Sequence, residues 1–231
     1  MKQYTHLLFD VDNTILNFDR AEEVALARIL EKYGPMLDQE RLHATYHKIN
    51  RSMWQAFERG EMTREALLHT RFFETFYIFD ITVDGEMLAA EYQAMLAEGH
   101  EAITGAADVL HALGDIPKYV VSNGVGSTQY KRLQDSDMMK HFEAIYVSED
   151  VGFHKPQIEF FEHVFTHSPE IQPATTLIIG DSLTSDIQGG INAGIDTCWF
   201  NFHSEDNTTS ITPTYTIDHI TDLLNLLPKL V

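Results

Sequence analysis

LLFDVDNT, residues 7–14, is the stretch of this sequence that decides its fold. A short apolar run ends there in two acids, Asp10 and Asp12, which two small hydrogen-bonding side chains follow. Residues two apart in an extended chain share a face, so both carboxylates leave the end of a buried strand toward one place. Two like charges there require a cation, or one acid held protonated. The alternative interpretation is that an Asp after a strand only forms a turn or caps a helix.

The length and composition indicate one large domain, or one domain with an insert. The chain has 231 residues, of which 44% are hydrophobic, and a domain averages about 150 residues. No apolar run approaches the roughly 18 residues of a membrane span, and we expect no secretion signal, because the first residues already enter a strand. Cys198 is the only cysteine, so we expect a core thiol, no internal disulfide and a cytoplasmic location.

The charge balance excludes polyanionic partners. The formal net charge is −19, from 16 Lys and Arg against 35 Asp and Glu, and such a field repels a nucleic acid polymer. A small anion can still bind where a metal ion and a lysine reverse the sign locally. The 12 histidines show no metal-binding spacing such as HExxH, so we interpret them as surface or core polar groups.

Residues 17–102 carry the pattern of a separate helical unit. Apolar residues recur there at helical spacing in four segments, and the sequence has no convincing strand pattern in this span. Each segment follows or includes a residue suited to the start of a helix: Asp19, Asp38, Thr63 and Asp84. We therefore predict a four-helix cap domain inserted into a core formed by residues 1–16 and 103–231.

From Gly105 onward the sequence alternates between helical and strand patterns. Short apolar runs rich in β-branched residues alternate with helices, which favours a parallel sheet covered on both faces. The predicted strands lie at residues 5–9, 119–121, 144–147, 176–179 and 197–200, with a closing strand and helix from residue 214. The sequence therefore predicts an α/β fold with a Rossmann-like parallel sheet.

Polar side chains follow four of the predicted strands. In chain order the loops hold Asp10 with Asp12, then Ser122-Asn123-Gly124, then Lys155-Pro156, then Gly180-Asp181-Ser182 with Asp186. Each loop alone is an ordinary turn, surface segment or helix cap, but the carboxyl ends of parallel strands meet at one edge of a sheet. Together the four loops therefore predict one ligand site, and the hydroxyl, amide and N–H groups of the second loop suit an anion.

The charges in these loops predict a magnesium site that receives a phosphate. Asp10, Asp181 and Asp186 supply three negative charges if Asp12 is held protonated. Mg²⁺ prefers hard oxygen ligands and is commonly shared between carboxylates and substrate phosphates. With Lys155 added, the positive charges match the negative ones, and each opposed pair contributes about 4 kcal/mol at about 4 Å and an effective dielectric of about 20.

The same residues predict an in-line attack on phosphorus. With an ordinary pKa of about 3.9, Asp10 is ionised at neutral pH and can form an aspartyl phosphate without a separate base. Asp12 would then donate a proton to the leaving oxygen and later take one from the hydrolytic water.

The four loops resemble the motifs of the haloacid dehalogenase superfamily. Residues 9–14 resemble its first motif, residues 122–124 its second, residues 155–156 its third and residues 180–186 its fourth. The helical insert resembles the C1-type cap of that superfamily, so the resemblance covers the whole chain.

The resemblance implies a phosphoaspartate mechanism. It implies that Mg²⁺ is held by Asp10, by the main-chain carbonyl of Asp12 and by Asp181. Asp186 would act through water or hold Lys155. The residues expected to bind phosphate are Ser122, Asn123 and Lys155.

Finer features indicate a branch of the superfamily. Haloacid dehalogenases lack an acid two residues after the nucleophile, so Asp12 favours a phosphatase. Several stretches resemble the bacterial pyrimidine 5′-nucleotidases: residues 50–54 (NRSMW), Gly60, and residues 70–72 (TRF), 189–194 (GGINAG) and 197–201 (TCWFN). This implies a nucleoside 5′-monophosphate as substrate, non-standard pyrimidine nucleotides included.

Substrate selection would lie in the cap, which closes over the phosphate site and excludes water. Trp54, Arg71 and Phe72 are candidates for stacking on a base or touching its polar edge, although Trp54 and Phe72 can instead be cap core. Three other functions stay open: a sugar or small-acid phosphatase, a phosphomutase such as β-phosphoglucomutase, and a catalytically silent binding protein. The sequence also leaves open whether the chain is a monomer or a homodimer.

Overall fold

The computed structural model describes residues 2–227 and divides the chain into two compact units. One unit has the bounds Met1–Phe18 and His100–Val231, and the other is Asp19–Gly99. The second unit therefore interrupts the first, after its first strand.

The first unit is built on a six-stranded sheet whose neighbouring strands are all parallel. The strands are β1 (His6–Phe9), β2 (Lys118–Ser122), β3 (Ala144–Val147), β4 (Thr176–Gly180), β5 (Asp196–Phe200) and β6 (Tyr215–Ile217). Their order across the sheet is β3-β2-β1-β4-β5-β6. The predicted parallel α/β sheet is confirmed, and β1, the strand of the opening stretch, lies between β2 and β4 in its interior.

Apolar side chains of β1 reach both faces of the sheet. Leu7 and Phe9 belong to one buried cluster and Leu8 to another, as the alternation of side chains along a strand requires. All three are fully buried. Cys198 is buried in the first of these clusters, which confirms the core interpretation, and burial raises the pKa of its thiol to about 12.

Short helices connect the strands of this unit. They are α5 (Ala106–Ala112), α6 (Gly126–Asp135), α7 (Ser148–Val151), α8 (Ile158–His167), α9 (Gln188–Asn192) and α10 (Leu223–Leu226). A π-helical turn, Leu183–Ile187, precedes α9, where the sequence pattern predicts an ordinary helix from residue 185. Single 3₁₀ turns lie at Met139–His141, Pro173–Thr175 and Ile220–Asp222.

The other unit contains long helices. These are α1 (Phe18–Tyr33), α2 (Gln39–Glu58), α3 (Arg64–Tyr77) and α4 (Gly85–Leu96). Three predicted caps are confirmed, because Asp38, Thr63 and Asp84 each accept a hydrogen bond from a backbone N–H of the following turn. None of the helices among residues 2–227 is long and apolar enough to cross a membrane.

The prediction that Asp19 caps the first helix was wrong. Helix α1 already begins at Phe18, which places Asp19 inside its first turn. The side-chain carbonyl of Asn13 accepts the Phe18 N–H at 3.0 Å instead. The turn after β1 therefore also supports the start of α1.

The chain leaves the first unit and returns to it along a short paired ribbon. Leu16 and Ala102 form an antiparallel bridge. On either side of it the N–H of Asn17 donates to the carbonyl of Glu101 at 2.8 Å, and the N–H of Ile103 donates to the carbonyl of Ile15 at 3.0 Å. The two connecting segments are thus held together by backbone hydrogen bonds within the first unit.

Candidate active site

The carboxyl ends of the central strands bring the predicted loops together. Beyond the last residue of β1, the N–H of Asp10 donates to the carbonyl of Ile179 in β4 at 2.9 Å. Asp10 therefore continues the ladder, and Asp181 follows on the adjacent strand. This edge of a parallel sheet is where such folds bind ligands.

Three carboxylates form a cluster at this edge. One oxygen from each of Asp10, Asp181 and Asp186 lies within 4.8 Å of the others, with Asp10 and Asp186 buried and Asp181 partly exposed. Three hard oxygen donors at this spacing fit a divalent cation such as Mg²⁺. The carboxylate of Asp12 is not a member of this cluster.

Lys155 supplies the positive charge of the site. Its ammonium group donates at 2.6 Å to Asp10 Oδ1, to Asp186 Oδ1 and to the main-chain carbonyl of Val121. An ammonium group has three protons, so these bonds use all of them and fix its position. Lys155 is 1% exposed, which means that its charge is compensated by protein rather than by water.

Burial and the surrounding charges shift the protonation of these groups. Burial raises the pKa of Asp10 to about 7. The charge of Lys155 opposes this rise, but the charges of Asp186 and Asp12 partly cancel the effect of Lys155. Burial also raises the pKa of Asp181 well above its ordinary range, and Asp10 adds to the effect. For Lys155, burial lowers the pKa, but the two paired carboxylates outweigh it and raise the pKa above the ordinary value.

These shifts correct one expectation from the sequence. The pKa of Asp10 is raised rather than ordinary. Without a metal ion, a large fraction of this carboxyl is therefore protonated at neutral pH. Ionising it fully requires further positive charge beside Lys155. A divalent cation among the three carboxylates would supply that charge.

Asp186 is held at both oxygens. Its Oδ1 accepts from Lys155 Nζ, and its Oδ2 accepts from the N–H of Ser182 at 3.0 Å. The π-helical turn carries Asp186 toward β4, where a Cβ on Gly180 would lie 2.2 Å from the Asp186 carboxyl carbon. Glycine is therefore required at 180, and of the two roles that the resemblance implies for Asp186, its contacts are those of a residue that holds Lys155.

The second loop connects the other segments. The side chain of Asn123 accepts from the N–H of Lys155 at 2.9 Å and donates to the carbonyl of Lys155 at 2.8 Å, so it fixes the lysine's backbone. The hydroxyl oxygen of Ser122 accepts from the N–H of Gly124 at 3.1 Å and from Gln129 Nε2 at 3.0 Å. Since both bonds use this oxygen as an acceptor, the Ser122 proton can be donated to a ligand.

Asp12 is held by residues that the sequence analysis did not identify. Its Oδ1 forms an ion pair with Arg132 Nη1, and its Oδ2 accepts from Gln129 Nε2 at 2.6 Å. The charge count made from the sequence left out Arg132, whose buried guanidinium lies against this carboxylate. Gln129 and Arg132 stand three residues apart on α6, directly after the second loop, and that spacing on one helix face is the only signal in the sequence.

Trp199 is another residue that the sequence analysis did not assign to the site. Its indole N–H donates to the main-chain carbonyl of Asp181 at 2.8 Å, from the neighbouring strand β5. This bond fixes the backbone that carries one of the three clustered carboxylates.

The candidates for substrate selection lie in the helical unit. Phe72 is fully buried, stacked on Tyr46 at 5.2 Å between centroids and edge-on to Tyr92 at 5.2 Å, so its packing fits the alternative interpretation, a core residue. Arg71 is 2% exposed, with its guanidinium 4.8 Å from the Tyr92 ring centroid. Trp54 is partly exposed.

A comparison with family models gives one match over most of the chain. The model described as haloacid dehalogenase-like hydrolase matches residues 7–200. That span includes every loop of the candidate site.

Three bacterial relatives match along nearly their whole length. The HAD-hydrolase YfnB of Bacillus subtilis is 45% identical over 98% of this chain and 97% of its own. The pyrimidine 5′-nucleotidase PynA of Streptococcus pneumoniae is 39% identical over 98% of this chain and 96% of its own. The pyrimidine 5′-nucleotidase YjjG of Escherichia coli is 30% identical over 96% of this chain and 97% of its own.

A crystal structure of the same YfnB, bound to magnesium, superposes with a TM-score of 0.93 and covers 98% of this chain and 100% of that one. The agreement extends to both units of the fold, since nearly the full length is aligned.

Proposed function

Because this chain belongs to the haloacid dehalogenase-like hydrolase family, we propose that it hydrolyses phosphate monoesters, with pyrimidine nucleoside 5′-monophosphates as substrates. The observation that carries the proposal is the buried Lys155, which bridges Asp10 and Asp186 beside Asp181. Such a site brings an ammonium group and several carboxylates together, which suits a divalent cation and the oxygens of a phosphate. The two relatives that are pyrimidine 5′-nucleotidases support the substrate class.

Asp10 is the proposed nucleophile. Its carboxylate oxygen attacks phosphorus, the bond between phosphorus and the ester oxygen breaks, and an aspartyl phosphate forms. Asp12 supplies the proton that the leaving oxygen needs, so an alcohol is released. Water then attacks the same phosphorus atom, Asp12 accepts a proton from it, and inorganic phosphate leaves with Asp10 regenerated.

Mg²⁺ is the proposed cofactor. The donor set fits it, because Asp10 and Asp181 present carboxylate oxygens within reach of one ion and the YfnB crystal structure contains magnesium. The proposed ligands are Asp10, Asp181 and, from the family resemblance, the carbonyl of Asp12, with Asp186 holding Lys155. When bound, the ion supplies positive charge to the phosphate oxygens and to the carboxylates around it.

The proposed phosphate contacts come from the second and third loops. Ser122 has a hydroxyl proton to donate, and Asn123 fixes the backbone of Lys155. Lys155 lies 2.6 Å from the nucleophile, so its charge acts on an incoming phosphoryl group without a change of partner. The helical unit, with Trp54 and Arg71, is the proposed source of selectivity for the base.

A substrate screen with matched variants tests the proposal. We expect the purified protein with Mg²⁺ to release phosphate from uridine and thymidine monophosphate faster than from purine nucleotides or hexose phosphates. Asp10→Asn should reduce this release by about 10³-fold or more with an unchanged circular dichroism spectrum. Phosphate release that is unchanged in the variant would refute the nucleophile. Equal, weak rates on all substrates would refute the nucleotide preference, and isomerisation of a hexose phosphate without phosphate release would indicate a mutase.

A further inference from the structure

We propose that Arg132 and Gln129 are positioning residues that hold the carboxylate of Asp12 for proton transfer. The inference rests on the proposed function, in which Asp12 is the acid and base. Both oxygens of Asp12 are engaged from the same helix, α6: Oδ1 by Arg132 Nη1 and Oδ2 by Gln129 Nε2 at 2.6 Å. Two fixed contacts on one planar group leave its side chain a single orientation.

The holding residues are themselves rigid. Arg132 is fully buried, Gln129 is 1% exposed, and Arg132 Nη1 also donates to Gln129 Oε1 at 3.1 Å. The Arg132 guanidinium lies 5.7 Å from the ring centroid of Phe18. The side chain of Asp12, by contrast, is 27% exposed. Two buried residues thus hold a carboxylate that solvent can reach.

The network also explains the glycine of the second loop. The amide nitrogen of Gln129 donates both to Asp12 and to the Ser122 hydroxyl, at 2.6 and 3.0 Å. A Cβ on Gly124 would lie 2.3 Å from that nitrogen. Gln129 therefore reaches Asp12 only because residue 124 has no side chain, and it links the first two loops of the site.

Each oxygen of Asp12 keeps a further lone pair. A carboxylate has about four acceptor sites, of which Arg132 and Gln129 use one each. Asp12 can thus exchange a proton with a substrate oxygen or with water while both contacts persist. Without them the side chain would rotate, and the proton would be misplaced relative to the reacting oxygen.

Leaving-group dependence separates positioning from a general structural defect. A nucleotide expels an alkoxide and needs the acid, whereas an aryl phosphate such as p-nitrophenyl phosphate expels a stable phenolate and needs it much less. We expect Arg132→Met and Gln129→Leu to lower kcat/KM for uridine monophosphate at least tenfold more than kcat/KM for the aryl phosphate. Arg132→Lys should recover part of the loss. Lys131 is an exposed cation on the same helix, and Lys131→Met should leave kcat/KM unchanged for both substrates.

A double-mutant cycle shows whether Arg132 acts through Asp12. With Asp12→Asn already present, Arg132→Met should cause no further loss for the nucleotide, because the carboxylate that it holds is gone. Multiplicative losses in the double variant, or equal losses for both substrates in the single variants, would overturn the inference. Gln129→Leu provides the same comparison if Arg132→Met does not fold.

The outcomes for the two proposals differ. If the wild-type protein released no phosphate from any ester, the proposed function would fail and this inference with it. If the wild type and Asp12→Asn behave as proposed but the Arg132 and Gln129 variants match wild type, only the inference fails.

Discussion

Replacing Lys155 by Met removes the cation from the centre of the site while keeping a side chain of similar length. Lys155 is 1% exposed and pairs with two buried carboxylates at 2.6 Å. Removing one partner of a buried ion pair costs about 3–5 kcal/mol, because the remaining charge has neither water nor a counterion. We expect a loss of this size in the free energy of unfolding at about pH 8 without Mg²⁺.

The loss should shrink as the pH falls. The pKa of Asp10 is already raised to about 7 by burial, and without Lys155 it would rise further. A carboxyl group whose folded pKa is raised is protonated in the folded state first, so below that pKa Asp10 needs no counterion. Lys155→Met should therefore destabilise the protein less at about pH 6 than at about pH 8.

Urea unfolding at both pH values measures this difference. The matched control is Lys140→Met, since Lys140 pairs with Asp137 at the surface, where both side chains are largely exposed and the pair contributes little. A loss below about 1 kcal/mol at the higher pH, or one that grows as the pH falls, would refute the argument that Lys155 compensates buried negative charge.

Three further predictions concern the carboxylate cluster. Asp181→Asn should raise the Tm of the Mg²⁺-free protein at about pH 8, because it removes a charge that burial and, to a lesser extent, Asp10 disfavour. The gain should be about 2–4 °C per kcal/mol relieved, and it should disappear in acid, where the wild-type carboxyl is also neutral. Differential scanning calorimetry checks both. The Kd for Mg²⁺, measured by calorimetry, should rise about tenfold or more from about pH 8 to about pH 6, because protons compete with the ion for Asp10. A Kd that does not depend on pH would contradict this. Gly180→Ala should abolish most phosphate release, since its Cβ would displace the Asp186 side chain and with it Lys155; activity within about twofold of wild type would show that the contact is not needed.

The sheet could be predicted because its signals are local. Each strand is a short apolar run rich in β-branched residues. Such a run is typical of a strand that is buried on both faces of a parallel sheet. The polar loops could be located for the same reason, since three of them directly follow a strand and Lys155 follows β3 after the short helix α7. Parallel topology then places them at one edge, and the carboxylates of Asp10, Asp181 and Asp186 do meet there.

The partners of Asp12 could not be predicted in this way. Gln129 and Arg132 are separated from Asp12 by 117 and 120 residues. Their spacing on α6 is equally typical of any helix that packs one face against a core. Only the fold, which places one face of α6 beside the turn after β1, turns that spacing into an ion pair.

The protonation of Asp10 also depends on the fold. An ordinary pKa follows from residue type alone, but burial is a tertiary property and here it outweighs the attraction of Lys155. The π-helical turn at Leu183–Ile187 is a similar case. The apolar spacing predicts a regular helix there, whereas the contacts of Asp186 with Ser182 and Lys155 accompany a wider turn.

The ribbon that joins residues 15–17 to residues 101–103 bears on how such a protein can diversify. Its backbone hydrogen bonds bring the two ends of a long insertion within a few ångströms of each other. From the standpoint of the sheet, the whole helical segment is thus equivalent to a hairpin loop, and lengthening a loop adds little entropic cost. The helical segment can therefore be exchanged for one of different length or sequence while the connections between the strands stay unchanged.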